Sequence, residues 1–182
     1  MTSSGFRLRL ATRDDVAALE GLIDASVRGL SIDYYSPEQI DAALAEVFGV
    51  DTNLIDDGTY IVASVDGEIA GCGGWSRRRT LFGGDQRTVE REDSLLDPAC
   101  DAARIRAFFV HPDWARRGIG RLLQDHCETQ ARAHGFTATA LLATLPGQRL
   151  YRTRGYVPET PIQHVLGEGL TMDLVPMGKT LA

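Results

Sequence analysis

The chain moves between two hydrophobic periods, and each changeover marks an element. FRLRLAT (6–12) switches between apolar and charged residues at almost every step, the period of a strand with one solvated face. From residue 16 the period lengthens. Val16, Leu19, Leu22, Ile23 and Val27 form one stripe of a helix over VAALEGLIDASVRGL, opened by Thr12 and Asp14–Asp15. Ser36-Pro37-Glu38 opens a second helix with a capping hydroxyl, a first-turn proline and an acid near the positive dipole end. Ile40, Ala43, Leu44 and Val47 give that helix its buried face. TYIVASVDGEIAGCGGWS (59–76) reads as two short strands around Asp66-Gly67, a hairpin turn pair.

Segment 77–102 is polar and turn-rich, a long connection. ARIRAFFVHP (103–112) is a strand stopped by Pro112. A helix of about four turns follows, with Ile119, Leu122, Leu123, Cys127 and Ala131 at helical spacing, and His134-Gly135 ends it. TATALLATL (137–145) is a strand and GQRLYRTRGY (147–156) holds a short helix closed by Gly155; the tail 162–181 is one more strand, or a hairpin. The order β-α-α-β-β-β-α-β-α-β predicts one mixed α/β sheet. With 182 residues, no repeat, no low-complexity tract and no dividing linker, one domain over 1–182 is expected.

A hydrophobic fraction of 43% and a charged fraction of 24% are ordinary for a globular protein. No apolar run approaches the roughly 20 residues that cross a bilayer, and MTSSGFRLRLATRDD lacks a signal-peptide core. Cys72, Cys100 and Cys127 are odd in number and lack ligand spacing, so free thiols in a cytoplasmic protein without a metal are expected. The net charge of −6 argues against a nucleic-acid partner. That charge is unevenly placed: residues 1–100 sum to −9 and residues 101–182 to +3. The second half therefore suits a small polyanion better than the whole molecule does, with chance surface asymmetry as the plainer alternative.

HPDWARRGIGRLLQDH (111–126) sits where strand becomes helix. Gly118 and Gly120 let backbone N–H groups of a first helical turn approach an anion, and Arg116, Arg117 and Arg121 add charge around it. Alone, the same residues also fit a plain glycine-punctuated helix start. A dinucleotide fingerprint fails, because HPDWAR intervenes and Leu123 replaces the third glycine; a Walker loop fails because the only lysine is Lys179.

The run from FFVHPDWARRGIGRLL to LYRTRGY resembles the GNAT superfamily of acyl-CoA-dependent N-acetyltransferases. The shared pieces are Val110-His111-Pro112, Gly118-Ile119-Gly120, and Leu150-Tyr151 with Gly155-Tyr156. The resemblance implies an α/β fold with a single mixed, mostly antiparallel sheet, helices on both faces and splayed central strands. It implies acetyl-CoA as co-substrate, without a metal, and a primary amine, small molecule or peptide, that attacks the thioester directly. It also implies that Phe108, Phe109 and Val110 pair with the pantetheine arm, that N–H groups across Arg116, Arg117, Gly118, Ile119, Gly120 and Arg121 hold the pyrophosphate, and that Tyr151 protonates the departing thiolate. Dimers are common in the family, so a homodimer is open. A non-catalytic acyl-CoA-binding sensor is the alternative.

This chain departs from the family pattern in places. Ala115 stands where the turn motif has Arg or Gln, and Thr144 where many members have an Asn that anchors the cofactor arm. The strand that often carries a glutamate base has Arg104 and Arg106 instead, which leaves Glu90, Glu92, Asp93 and His111 as base candidates elsewhere. Arg106, Arg77 and Arg79 could line an anionic acceptor site walled by Trp75. Solvated or ion-paired arginines and a core tryptophan are the alternatives.

Overall fold

Asp66 and Gly67 both have positive φ, 49° and 89°, so the first hairpin closes with a turn whose twist matches its strands. The hairpin sits in a sheet that runs through most of the chain. The computed structural model describes residues 5–87 and 92–182. Its elements are β1 (Arg7–Leu10), α1 (Val16–Ser31), α2 (Pro37–Glu46), α3 (Thr52–Asp56), β2 (Tyr60–Val65), β3 (Glu68–Ser76) and β4 (Ala103–Val110). They continue as α4 (Ile119–Ala133), β5 (Ala138–Thr144), α5 (Gln148–Thr153), β6 (Val157–Pro158), β7 (Ile162–Val165) and β8 (Thr171–Thr180).

The strands form one sheet in the order β1-β2-β3-β4-β5-β8, and β6 and β7 both pair with the outer edge of β8. Every pairing is antiparallel except β4–β5. Helices α1, α2 and α3 bury their apolar faces on one side, where Leu19, Ile23, Ile40 and Leu54 meet Val62 and Leu174. Helices α4 and α5 cover the other, where Cys127, Ala131 and Tyr151 meet Ile105, Leu141 and Val175. This is the expected fold class. Two details differ from the sequence reading: α3 is an additional short helix and β6 an additional two-residue strand; of the two readings of the tail, the hairpin of β7 and β8 is the one observed.

The central seam is where the sheet opens. β4 and β5 pair only at Ala103↔Thr139 and Arg104↔Ala140, and beyond that they part. On its other edge β4 carries a bulge: Cys72 faces Phe109 but Gly74 faces Arg106, so β4 has one extra residue there. Ala107 takes φ 55° in that stretch. The Tyr60 hydroxyl and the Cys72 thiol, both fully buried, lie 3.5 and 3.6 Å from the Ala107 carbonyl. Each parted strand is tied elsewhere. The Val110 N–H donates to Ser26 Oγ on α1 at 3.2 Å. Tyr35 accepts from the Leu145 N–H and donates to the Asp173 carbonyl, both at 2.8 Å, which fastens the end of β5 to β8.

Arg106 fixes the start of the bulge. Its guanidinium lies 2.5 Å from Asp51 Oδ2 and donates to the Gly83 carbonyl at 2.9 Å. Both side chains are nearly sealed from water, at 3% and 1% exposure. Asp51 also accepts from the Asn53 N–H and so caps α3. Removing one member of a buried ion pair leaves the other charged without compensation. Asp51→Ala should lower unfolding free energy by about 3–5 kcal/mol, measured by urea denaturation.

Candidate functional site

The parted strands open a cavity of about 840 Å3, within the roughly 300–1,000 Å3 of small-ligand sites. It passes through the sheet, so each face of the fold supplies one end.

On the α4 side, the chain leaves β4 through His111 and a short turn at Pro112–Trp114, then enters α4. Gly118 precedes the helix with φ 90°, a conformation that an L side chain adopts at a cost, and no side chain caps the turn. The first N–H groups of α4 therefore face the cavity uncapped, at the positive end of a helix 15 residues long. Gly120 serves packing: a Cβ there would sit 2.9 Å from Leu150 Cδ2, so its absence lets α5 close on α4. Arg116, itself at φ 61°, Arg121 and Arg149 line this end and are exposed. Arg117 does not line it, because its guanidinium lies over the Trp114 ring at 4.7 Å. An anion at this end would meet unpaired N–H groups and three guanidinium groups.

Between the ends lie the inner edge of β4, at Phe108, Phe109 and Val110, and Thr144 at the end of β5. The Thr144 hydroxyl accepts from the Gly147 N–H at 3.3 Å and keeps its own proton to donate. Tyr151 of α5 projects here, 8% exposed, with its ring edge-on to Phe108 and Tyr156 at 6.3 and 5.7 Å. Among the described residues its hydroxyl has no hydrogen-bond partner. Burial, with Tyr156 and Cys127 nearby, pushes the Tyr151 phenol well above the ordinary tyrosine value. Tyr156 is itself held by a buried carboxylate: it donates to Glu128 Oε1 at 3.2 Å, and Lys179 reaches Glu128 Oε2 at 2.7 Å. Gln124 and Thr139 complete that cluster.

On the α1 side the walls are apolar. Leu30, Tyr34, Phe48, Phe82 and Phe109 line it, and Asp33 stands at the exposed rim. The other arginines do not gather here. Arg77 is exposed beyond the end of β3, and Arg79 pairs with Asp101 at 3.3 Å and Glu92 at 3.7 Å. Trp75 packs in the core on the opposite face against His134 and Phe136. Arg106 borders the cavity with its charge committed to Asp51. Of the base candidates, Glu92, Asp93 and His111 lie outside the lining, and Glu90 lies outside the described residues. Among the described residues no group of three or more His, Cys, Asp or Glu side chains could hold a metal ion, and no helix is long and apolar enough to cross a membrane.

Residues 25–156 match the model of the acetyltransferase (GNAT) family. The chain belongs to this family. No protein of curated function matches the sequence. Among solved structures, the GCN5-related N-acetyltransferase of Rhodopseudomonas palustris has 24% identity and a TM-score of 0.73, over 100% of this chain and 99% of that one. PaiA N-acetyltransferase from Thermoplasma acidophilum, in complex with coenzyme A, has 15% identity and a TM-score of 0.65, over 96% and 98%. The yncA protein of Salmonella typhimurium, solved with its cofactor acetyl-CoA, has 15% identity and a TM-score of 0.61, over 98% and 95%. At these identities the likeness is one of GNAT fold.

Sequence reasoning missed Arg149, Tyr34, Phe48 and Phe82, which carried no motif signal; Phe109 was singled out only for the cofactor arm. The left-handed backbone at Gly118 gives the local prediction: Gly118→Ala should cost about 1–2 kcal/mol in chemical denaturation, with the fold retained.

Proposed function

We propose that this GNAT chain moves an acetyl group from acetyl-CoA to a primary amine, which attacks the thioester carbon directly. One observation carries the reading: a single continuous cavity joins an uncapped, arginine-lined helix start to the hydroxyl of a buried tyrosine that has no hydrogen-bond partner among the described residues. The N–H groups from Gly118 to Arg121 would hold the pyrophosphate, with Arg116 supplying the charge that Ala115 cannot. The inner edge of β4 at Phe108 and Phe109 would take the pantetheine arm as an added strand, with the Thr144 hydroxyl as a polar anchor. The Val110 N–H is already donated to Ser26, so its part in such pairing requires an exchange of partners. That two related folds were solved with CoA and with acetyl-CoA supports CoA as the ligand class.

In the reaction the amine nitrogen forms the new bond to carbon, the carbon–sulfur bond breaks, and the sulfur leaves as a thiolate. Tyr151 gives its proton to that sulfur and is reprotonated from solvent. Its raised pKa keeps the phenol protonated beyond the ordinary value of about 10, so the acid form persists through the alkaline range. The amine must lose its own proton. Among the described lining residues Asp33 is the sole carboxylate, and it lies at the rim. The nucleophile is therefore the fraction of amine that is neutral on arrival; once its nitrogen has bonded to carbon it releases one proton to solvent, which balances the proton that Tyr151 gives to sulfur and regains from solvent.

Tyr151→Phe should lower kcat by about 10²–10⁴-fold at saturating acetyl-CoA and leave CoA affinity within about twofold. The wild-type rate should rise with pH as the amine loses its proton and show no decline near pH 10. A variant with wild-type kcat, where chemistry limits turnover, sinks the acid role. CoA binding without transfer to any amine returns the chain to the binding-module alternative. Arg116→Ala should weaken CoA binding by about 5–10-fold in calorimetric titration, whereas Arg117→Ala, which only frees the Trp114 face, should change it by less than about twofold.

A further inference from the structure

The two ends of the cavity differ in chemistry, and the difference specifies an acceptor. Three exposed arginines stand at the α4 end. At the α1 end the charged side chains of the described lining are Arg106 and Asp33. Arg106 is 3% exposed, sits 2.5 Å from Asp51, and spends a further N–H on the Gly83 carbonyl, so its charge is cancelled inside the protein. Of the arginines that follow β3, Arg78 is occupied by Asp57 at 2.7 Å and Arg79 by Asp101, and Arg77 is exposed outside the lining. What this end offers is one carboxylate at its rim.

Its walls are rings. Phe48 and Phe109 meet edge to face at 6.1 Å, and Phe82 is held against His164 at 5.0 Å. Fixed aromatic walls suit an apolar body of similar size, and ring faces together with Asp33 attract an ammonium group. A carboxylate or phosphate brought here would lose water and, among the described lining residues, meet no cation that is not already paired inside the protein. We infer that the acceptor is a primary amine on an apolar, arene-sized body that carries no carboxylate or phosphate. This rests on the amine-transfer reading and replaces the anionic acceptor that an arginine cluster would favour.

The test uses the full chain with acetyl-CoA and four amines: phenethylamine, ethylamine, phenylalanine and phenylalaninamide, followed by release of free thiol. Phenethylamine should exceed phenylalanine in kcat/KM by about tenfold or more. Ionisation works against this result, since the α-amino group of phenylalanine is less basic and more of it is neutral. Phenylalaninamide, which keeps the bulk and loses the negative charge, should recover most of the difference. Ethylamine should fall about tenfold or more below phenethylamine, and Phe48→Ala should narrow that gap. Asp33→Lys, a change at the exposed rim, should raise phenylalanine relative to phenethylamine while CoA affinity holds. Phenylalanine equal to or better than phenethylamine overturns the inference and leaves transfer to amines standing. Ethylamine equal to phenethylamine does the same. Acetylation of none of the four, with CoA binding intact, overturns both.

Discussion

Everything at the site depends on where β4 stops pairing with β5. Two residue pairs hold the strands together, after which each is claimed by something else: Ser26 takes the Val110 N–H, and Tyr35 bridges Leu145 and Asp173. A strand edge left open in a sheet interior has unsatisfied backbone groups, which makes it a template for an extended ligand. The bulge on the opposite edge sets its shape. The extra residue turns Phe108 toward Tyr151 on one face and Phe109 toward Phe48 on the other. Adjacent residues of one strand thus reach the two ends of the same cavity.

The charge asymmetry of the sequence acquires a location in this arrangement. Residues 101–182, net +3, build the α4 end with its arginines; residues 1–100, net −9, supply α1, α2 and the connections that wall the other end. A polyanionic donor and a cationic acceptor would enter from opposite sides of the sheet, each toward charge of opposite sign. The buried Asp51–Arg106 pair is part of this separation. It anchors the bulged strand and commits the charge of Arg106 to Asp51 and not to the α1 end of the cavity.

Long periodic elements and the glycine turn were legible in the sequence because their causes are local. The 3.6-residue stripes of α1, α2 and α4 and the Asp66-Gly67 turn needed no knowledge of the rest of the chain. α3 escaped because five residues are too few to establish a period, and β6 because two residues carry none. The arginines misled for a physical reason. Arg77 and Arg79 fall past the end of β3 at Ser76, where no strand face aims them at the cavity. Arg106 does border the cavity, yet its role is decided by Asp51, far upstream in the chain. The choice between Arg116 and Arg117 turned on a ring three positions back, Trp114, over which Arg117 lies.

The lack of a buried carboxylate among the described lining residues and the raised pKa of Tyr151 have one origin. Low polarity disfavours whichever form of a group is charged. For a phenol that form is the phenolate, so burial keeps Tyr151 protonated and fit to donate. For an amine it is the ammonium, so the same apolar walls that would hold the acceptor also promote loss of its proton before attack. A buried glutamate in β4 would draw a proton from the amine, and it would also hold the ammonium in place as a counter-charge. If the α1 end takes an amine as proposed, its aromatic walls would favour the neutral nucleophile by desolvation instead. Asp33 can still attract the cation from its exposed position, because at the rim water screens the charge that would otherwise trap it.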